Sequence, residues 1–166
     1  MSKTRSIVSD MATPRWLDAD EEGVWRGYRR MRALLDQQIS RDLLRDSRLS
    51  DSDYDVMSTL TEEAGRTWRA NALARRLLWS TSRLSHHIAR MERRGLVTRR
   101  ESADDGRGAE VSLSEAGWAA LLAAAPQHVA SVRRHFIDVL TPGELRALSQ
   151  IFAKVIDNLG EDVEAP

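Results

Sequence analysis

Between residues 73 and 117 the hydrophobic periodicity changes twice, and the order of the changes restricts the fold more than any other feature. The stretch reads LARRLLWSTSRLSHHIARMERRGLVTRRESADDGRGAEVSLSEAG. Leu73, Ala74 and Leu77 share one face of a short helix beginning near Ala70, and Leu78 and Trp79 make the turn after it. Ser80 supplies a hydroxyl N-cap for a second helix that runs to about Arg94 and stops at Gly95. Residues 96–100 and 110–113 then read as short strands around Asp104-Asp105-Gly106-Arg107-Gly108, a strong turn signal. Helix, tight turn, helix and hairpin in that order predict a helix-turn-helix with a β-wing. That unit places its second helix in the DNA major groove and an arginine beside it.

The second helix divides cleanly by face. With Leu84 at zero and about 100° per residue, Ile88 and Met91 fall close to it and form the buried stripe. The opposite face carries Ser82, His86, Ala89 and Arg93, flanked by Arg83, Ser85 and Arg90. Arginine bonds guanine in a bidentate manner and serine adapts to either partner, so this face suits base edges. Ser80 acts mainly as a cap, and with Thr81 it lies at a helix N-terminus whose free N–H groups suit a phosphate. His87 lies on the flank near Met91 and packs. Arg93 and Arg94, at the far end, suit phosphate or solvent. Adjacent residues diverge on a helix, so His86 and His87 do not make a metal site, and no third ligand is evident.

Arg107 lies at the expected hairpin tip between two glycines, where an arginine can enter the minor groove. Asp105 is two residues away and can orient that guanidinium. The formal net charge of the chain is zero, but residues 66–107 hold eleven arginines against Glu92, Glu101, Asp104 and Asp105, a balance of +7 that leaves −7 elsewhere. A basic segment in an acidic frame is what phosphate binding needs.

Outside this stretch the pattern is helical. Residues 1–14 lack periodicity and read as a tail. A long helix follows from about Leu17 to Asp46 or Ser47, with Asp18 or Asp20 near its start and Val24, Tyr28, Met31, Leu35, Ile39 and Leu43 on one stripe. Ser50 and Asp53 form a variant capping box for a helix carrying Tyr54, Met57, Leu60 and Ala64 inward, with Gly65 as its stop. Ser114 opens an alanine-rich helix that Pro126 should kink. Thr141-Pro142 opens the last one, whose apolar side is Leu145, Leu148, Ile151, Phe152, Val155 and Leu159. The fold class expected is mainly α: a winged helix-turn-helix with a small two- or three-stranded wing, flanked by N- and C-terminal helices.

At 166 residues, with 42% hydrophobic and 30% charged residues, the chain has room for one domain with a real core. No run approaches the roughly 18 apolar residues of a membrane span, and no signal-peptide pattern opens the chain. Without cysteine there is no disulfide or thiolate metal site, which fits a cytoplasmic protein. No Gly-rich phosphate loop, metal-ligand cluster or nucleophile–base pair suggests an enzyme or a cofactor.

At the wing the chain resembles the MarR family of winged-helix transcriptional regulators. Asp105-Gly106-Arg107, Val111-Ser112-Leu113-Ser114 and Gly117 match the family's wing pattern, and Met91-Glu92-Arg93-Arg94-Gly95-Leu96-Val97 matches its approach to the wing. The segment from Ser80 to His86 resembles the recognition helix of actinobacterial members. The chain departs from the pattern at Leu78, where many helix-turn-helix proteins carry glycine, and at Ser114, where threonine is usual.

The resemblance implies a homodimer paired through residues 17–46 and 114–159, a DNA-binding lobe at 49–113, and all of these within one domain, 15–166. Apolar surface on the outer helices, including Trp16, Trp25, Phe136 and Phe152, agrees with a partner interface. The expected function is a sequence-specific repressor of a pseudo-palindromic operator on double-stranded DNA, released by a small aromatic or phenolic ligand. DNA contacts are expected from Ser80, Thr81, Ser82, Arg83, Ser85, His86, Arg90, Asp105 and Arg107. Trp25, Tyr28, Met31, Tyr54 and Met57 are the candidate ligand contacts. The alternative is a constitutive or architectural winged helix with no effector.

Overall fold

The structure, a computed structural model, describes residues 14–101 and 108–160. The wing-tip candidates Asp105 and Arg107 lie outside the described residues. The chain divides into two units, the first ending at Leu34 and the second beginning at Leu35. Helix α1, Ala19–Ser47, belongs to both. Asp18 opens it, its Oδ1 accepting hydrogen bonds from the N–H groups of Asp20 and Glu21 at 3.0 and 2.8 Å. In the first unit its apolar stripe is exposed: Val24 (75%), Trp25, Tyr28 and Met31 all face solvent.

The second unit continues with α2 (Asp51–Leu60), β1 (Thr67–Arg69), α3 (Ala70–Arg76), α4 (Thr81–Arg93), β2 (Val97–Glu101), β3 (Ala109–Leu113), α5 (Glu115–Val132) and α6 (Pro142–Asn158). Three caps follow from hydroxyls placed before the first turn. Ser50 and Asp53 make the reciprocal capping box of α2, Thr141 and Glu144 make that of α6, and Ser114 Oγ accepts from Gly117 N–H at α5.

The core is the winged lobe. Val56, Met57 and Leu60 of α2, Leu73 of α3, Leu84, Ile88 and Met91 of α4, and Val97 and Val111 of the sheet are essentially inaccessible to solvent. Leu43 of α1 and Leu121 and Ala124 of α5 close this cluster. Each large side chain buried here contributes about 1.5–3 kcal/mol relative to an exposed one. The sheet runs β1-β3-β2, antiparallel throughout, with Thr67 opposite Ser112 and Val97 opposite Leu113. The first of these pairs is closed by a hydroxyl–hydroxyl bond of 2.8 Å.

Two expectations change. Helix α2 ends at Leu60 rather than at Gly65, because Thr61 Oγ1 donates to Ser58 O at 2.6 Å and the chain must turn back to pair β1 with β3. Pro126, the residue expected to kink α5, lies inside it, and the α-helix continues to Val132. The departure from α geometry comes later, as a π-helical turn over Arg133–Ile137. The glycine-free turn between α3 and α4 keeps a left-handed residue all the same: Leu78 has φ +53 and is exposed. A leucine there carries a steric cost that glycine would not.

Gly117 is fixed by close approach. A Cβ at this position would stand 2.0 Å from the Leu96 carbonyl oxygen and 2.8 Å from Leu113 Cδ1. Ser114 Oγ bonds the carbonyls of Gly95 and Leu96, so the first turn of α5 is pressed onto the start of the wing. Gly117→Ala should destabilise the fold by about 1–3 kcal/mol through overpacking against backbone, read as a lower midpoint in urea unfolding.

A second tie joins the end of α1 to the end of α5. The buried Asp42 carboxylate accepts from Ser131 Oγ (2.8 Å), Arg45 (2.8 Å) and Gln38 (3.2 Å), with His135 Nε2 3.0 Å away. The Ser131 bond, with those of His135 and Arg45, holds the Asp42 pKa at about 2. Its folded pKa therefore lies below its unfolded one. The stabilisation is complete above the ordinary carboxylate range and is lost as pH falls through about 2. Asp42→Asn should lower the thermal midpoint at neutral pH and flatten the fall in stability between about pH 4 and pH 2, measured by circular dichroism melts across that range.

Candidate nucleic-acid interface

Helix α4 is anchored on one face and open on the other. Leu84, Ile88 and Met91 fix it to the core, while Thr81, Ser82, Arg83, Ser85, His86 and Arg90 are exposed. Ser80 caps it, accepting from Arg83 N–H at 3.2 Å. Gly95, at φ +73, turns the chain from its C-terminus into β2.

The exposed side chains are not equally free. The Arg83 guanidinium lies over the Trp79 ring, 4.0 Å from its centroid. Arg90 donates to His87 Nδ1 at 2.8 Å. His87 is buried, its ring meets Trp79 edge-on at 5.4 Å, and its Nε2 stands 3.2 Å from Asp53 Oδ1. That last contact sets Nε2 against the carboxylate without the alignment of a hydrogen bond. The packing expected of His87 is present, and a polar role is added that its position on the helix flank does not reveal.

Asp53 gathers these contacts. It accepts from Arg94 Nη1 (2.7 Å) and from Ser50 N–H (2.9 Å), and its side chain is 4% exposed. Burial works against its charge, but His87, Arg94 and Ser50 outweigh burial and hold its pKa well below the usual carboxylate range. Arg94, expected at phosphate or solvent, instead bonds Asp53 and the Arg48 carbonyl.

Between α4 and the sheet lies a groove of about 380 Å³ onto which Asn71, Thr81, Ser85 and Arg99 open, over a floor of Leu84, Ile88 and Val111. Asn71 and Arg99 were not singled out in the sequence. The pairing of Arg99 with Val111 across the wing brings it to this groove.

A second cavity, of about 440 Å³, is lined by Ile39 and Leu43 of α1, Tyr54 of α2 and His128 of α5, with Asp36, Asp51, Ser52, Asp55 and Arg83. The rings of Tyr54 and His128 stand 4.2 Å apart. Burial raises the Tyr54 pKa and lowers that of His128. Burial and then the neighbouring Asp51 raise Asp55. Asp51 also accepts from Ser40 Oγ. Of the five candidate ligand contacts, Tyr54 lines this cavity and Met57 is fully buried in the core. Trp25 and Tyr28 stack on each other at 5.7 Å, and Met31 is exposed. Among the described residues no group of three or more His, Asp or Glu could hold a metal ion, and no helix is long and apolar enough to cross a membrane.

The model of the MarR family matches residues 49–108. AbsC, a MarR family transcriptional regulator from Streptomyces coelicolor, is 39% identical, with a TM-score of 0.83 over 88% of this chain and 98% of AbsC. Sco3205, a MarR family regulator from the same organism whose structure is a complex with DNA, is 36% identical, with a TM-score of 0.85 over 91% of this chain and 94% of Sco3205. The organohalide-sensing regulator RdhR-CbdbA1625, in its 2,4-dichlorophenol-bound form, shares the fold at 19% identity, with a TM-score of 0.74 over 89% of this chain and 87% of that one.

Proposed function

The chain belongs to the MarR family of DNA-binding transcriptional regulators, and on that premise we propose that it is a homodimeric repressor of a pseudo-palindromic operator, released by a small aromatic effector. The observation that carries the DNA reading is the outward face of α4, where Ser82, Arg83, Ser85, His86 and Arg90 are exposed on a helix whose other face is locked into the core. Ser80 and Thr81, at its N-terminus, take a phosphate. Arg107 is the residue proposed, from its place in the sequence beside Asp105, for the adjacent minor groove. The DNA-bound state of Sco3205 supports this reading.

Dimerisation rests on exposed apolar surface. Helix α6 has no buried residue, and Ile151, Phe152, Val155, Ile156 and Leu159 are all at least 41% exposed. Trp16, Leu17, Val24 and Trp25 add a second exposed apolar set. Solvent-facing surface of this extent marks a protein partner, and a second copy related by a two-fold axis satisfies it. Residues 17–46 and 114–159 are the pairing helices, and 49–113 is the DNA lobe. Two-fold symmetry sets the recognition helices on the order of 34 Å apart, one DNA turn.

Selection of bound DNA from a random pool tests the reading. The expected product is a palindrome with half-sites one turn apart. Arg107→Ala should weaken operator binding at least about tenfold while the dimer stays folded, and Arg83→Ala or His86→Ala should relax base preference by about 1–3 kcal/mol per half-site. A uniform loss across all sequences would remove α4's outward face from base reading.

The cleft beside Tyr54 and His128 is the place for such an effector, since its volume of about 440 Å³ admits a small aromatic ring and its mainly polar lining offers hydrogen-bond partners. Three aspartates against one arginine set the charge class. A benzoate-like anion meets repulsion there, and an uncharged phenol or an aromatic amine does not. The ligand-bound form of RdhR-CbdbA1625 agrees with a phenolic occupant. Release of DNA requires that the effector favour one lobe arrangement over the other. Titration with neutral phenols, arylamines and benzoates, followed by thermal shift and operator binding, should give stabilisation and DNA release with the first two classes alone. Failure of every compound would leave a constitutive DNA-binding protein.

A further inference from the structure

Resting on the reading that α4 contacts bases, we propose that Trp79 and His87 are positioning residues for the two arginines of the reading face. Neither of the two belongs to the set of expected DNA contacts. Trp79 is the last residue of the turn before Ser80, and its ring is half-buried. One partner of that ring is the Arg83 guanidinium, 4.0 Å from the centroid. The other is the imidazole of His87, at 5.4 Å and 86° between planes. His87 in turn accepts from Arg90. An arginine has no acceptor, so His87 Nδ1 presents its lone pair to Arg90 and the ring proton resides on Nε2. That nitrogen faces Asp53, which the Ser50 cap and Arg94 hold in place.

The consequence is geometric. Arg83 and Arg90 are seven residues apart, so they lie on nearly the same side of α4, about 10 Å apart along its axis. At a rise of about 3.4 Å per base, this separation spans about three base steps. A free arginine would sample many rotamers, and ordering it on DNA would cost affinity. Stacking on Trp79 restrains Arg83 before DNA arrives, and His87 does the same for Arg90. Trp79, touching both Arg83 and His87, joins the two restraints. The turn residue thus acts on base preference through Arg83, in addition to connecting α3 to α4.

The test combines a direct structural signal with a mutant cycle. In the free wild-type protein, the Arg83 side-chain protons should be shifted upfield by the indole ring current in NMR spectra, and Trp79→Leu should abolish that shift. Operator and non-operator affinities are then measured for Trp79→Leu, Arg83→Ala and the double variant, with thermal midpoints recorded alongside. Trp79→Leu should cut the operator preference about three- to tenfold, the range of a stacked cation–π contact, with non-operator affinity unchanged. In the double variant the loss should be no greater than for Arg83→Ala alone. Trp79→Phe, which keeps a π face, should retain most of the preference.

Absence of the ring-current shift in the wild type overturns the proposal, and this measurement decides the matter even if Trp79→Leu does not fold. A folded Trp79→Leu with full operator preference, or losses that simply add in the double variant, also overturns it. If Arg83→Ala relaxes base preference and Trp79→Leu does not, the positioning role alone fails. If Arg83→Ala leaves preference intact, the reading face itself is wrong.

Discussion

A single buried carboxylate organises the winged helix-turn-helix. Asp53 lies at the third position of α2, where its side chain closes the capping box with Ser50. The same two oxygens face Arg94, just past the end of α4, and His87, midway along it. A buried charge is tolerable only when it is paired and hydrogen-bonded, and here the pairing spans two helices. The start of α2 thereby fixes α4 in rotation and along its axis. Everything α4 presents outward inherits that register.

The remaining ties act at the borders of the lobe. Gly117 allows α5 to approach the Leu96 carbonyl so closely that no side chain fits between them, and Ser114 bonds both carbonyls at that corner. Asp42, Ser131 and His135 join the end of α1 to the π-helical turn after α5. Arg66 stacks on Trp118 at 4.9 Å and steadies the entry to β1 against the start of α5. These contacts leave the apolar side of α6 outside the core, and that surface is the one assigned to a second copy in the proposed dimer.

Much of this was legible locally. Ser50, Ser80, Ser114 and Thr141 each precede a helix that starts one residue later, because a hydroxyl satisfying a free N–H is a short-range interaction written in sequence order. The buried stripe of Leu84, Ile88 and Met91 follows from period alone. Strand β1 carries no signal of its own in the sequence. It has three residues and no alternation, and it forms by pairing with a strand 45 residues away. The early end of α2 has the same origin. Helix α5 continues past Pro126, which removes one N–H from its ladder without ending it.

The amino-acid sequence by itself determined the order of elements, the caps, the two faces of α4 and the concentration of arginine around it, since all of these depend on residues within a few turns of one another. It also carried the signature that places the chain in its family. Tertiary structure decided which polar groups meet. Asp53 with Arg94, Asp42 with Ser131, Thr67 with Ser112, and Tyr54 with His128 are separated by between 41 and 89 residues, so no local pattern marks them. Trp79 and Arg83 are only four residues apart, yet their stacking depends on the left-handed turn at Leu78 and on the face His87 buries. Caps and periodicities are short-range and can be read along the chain. Charge pairing, stacking and cavity lining arise only once the core has set the helices against one another.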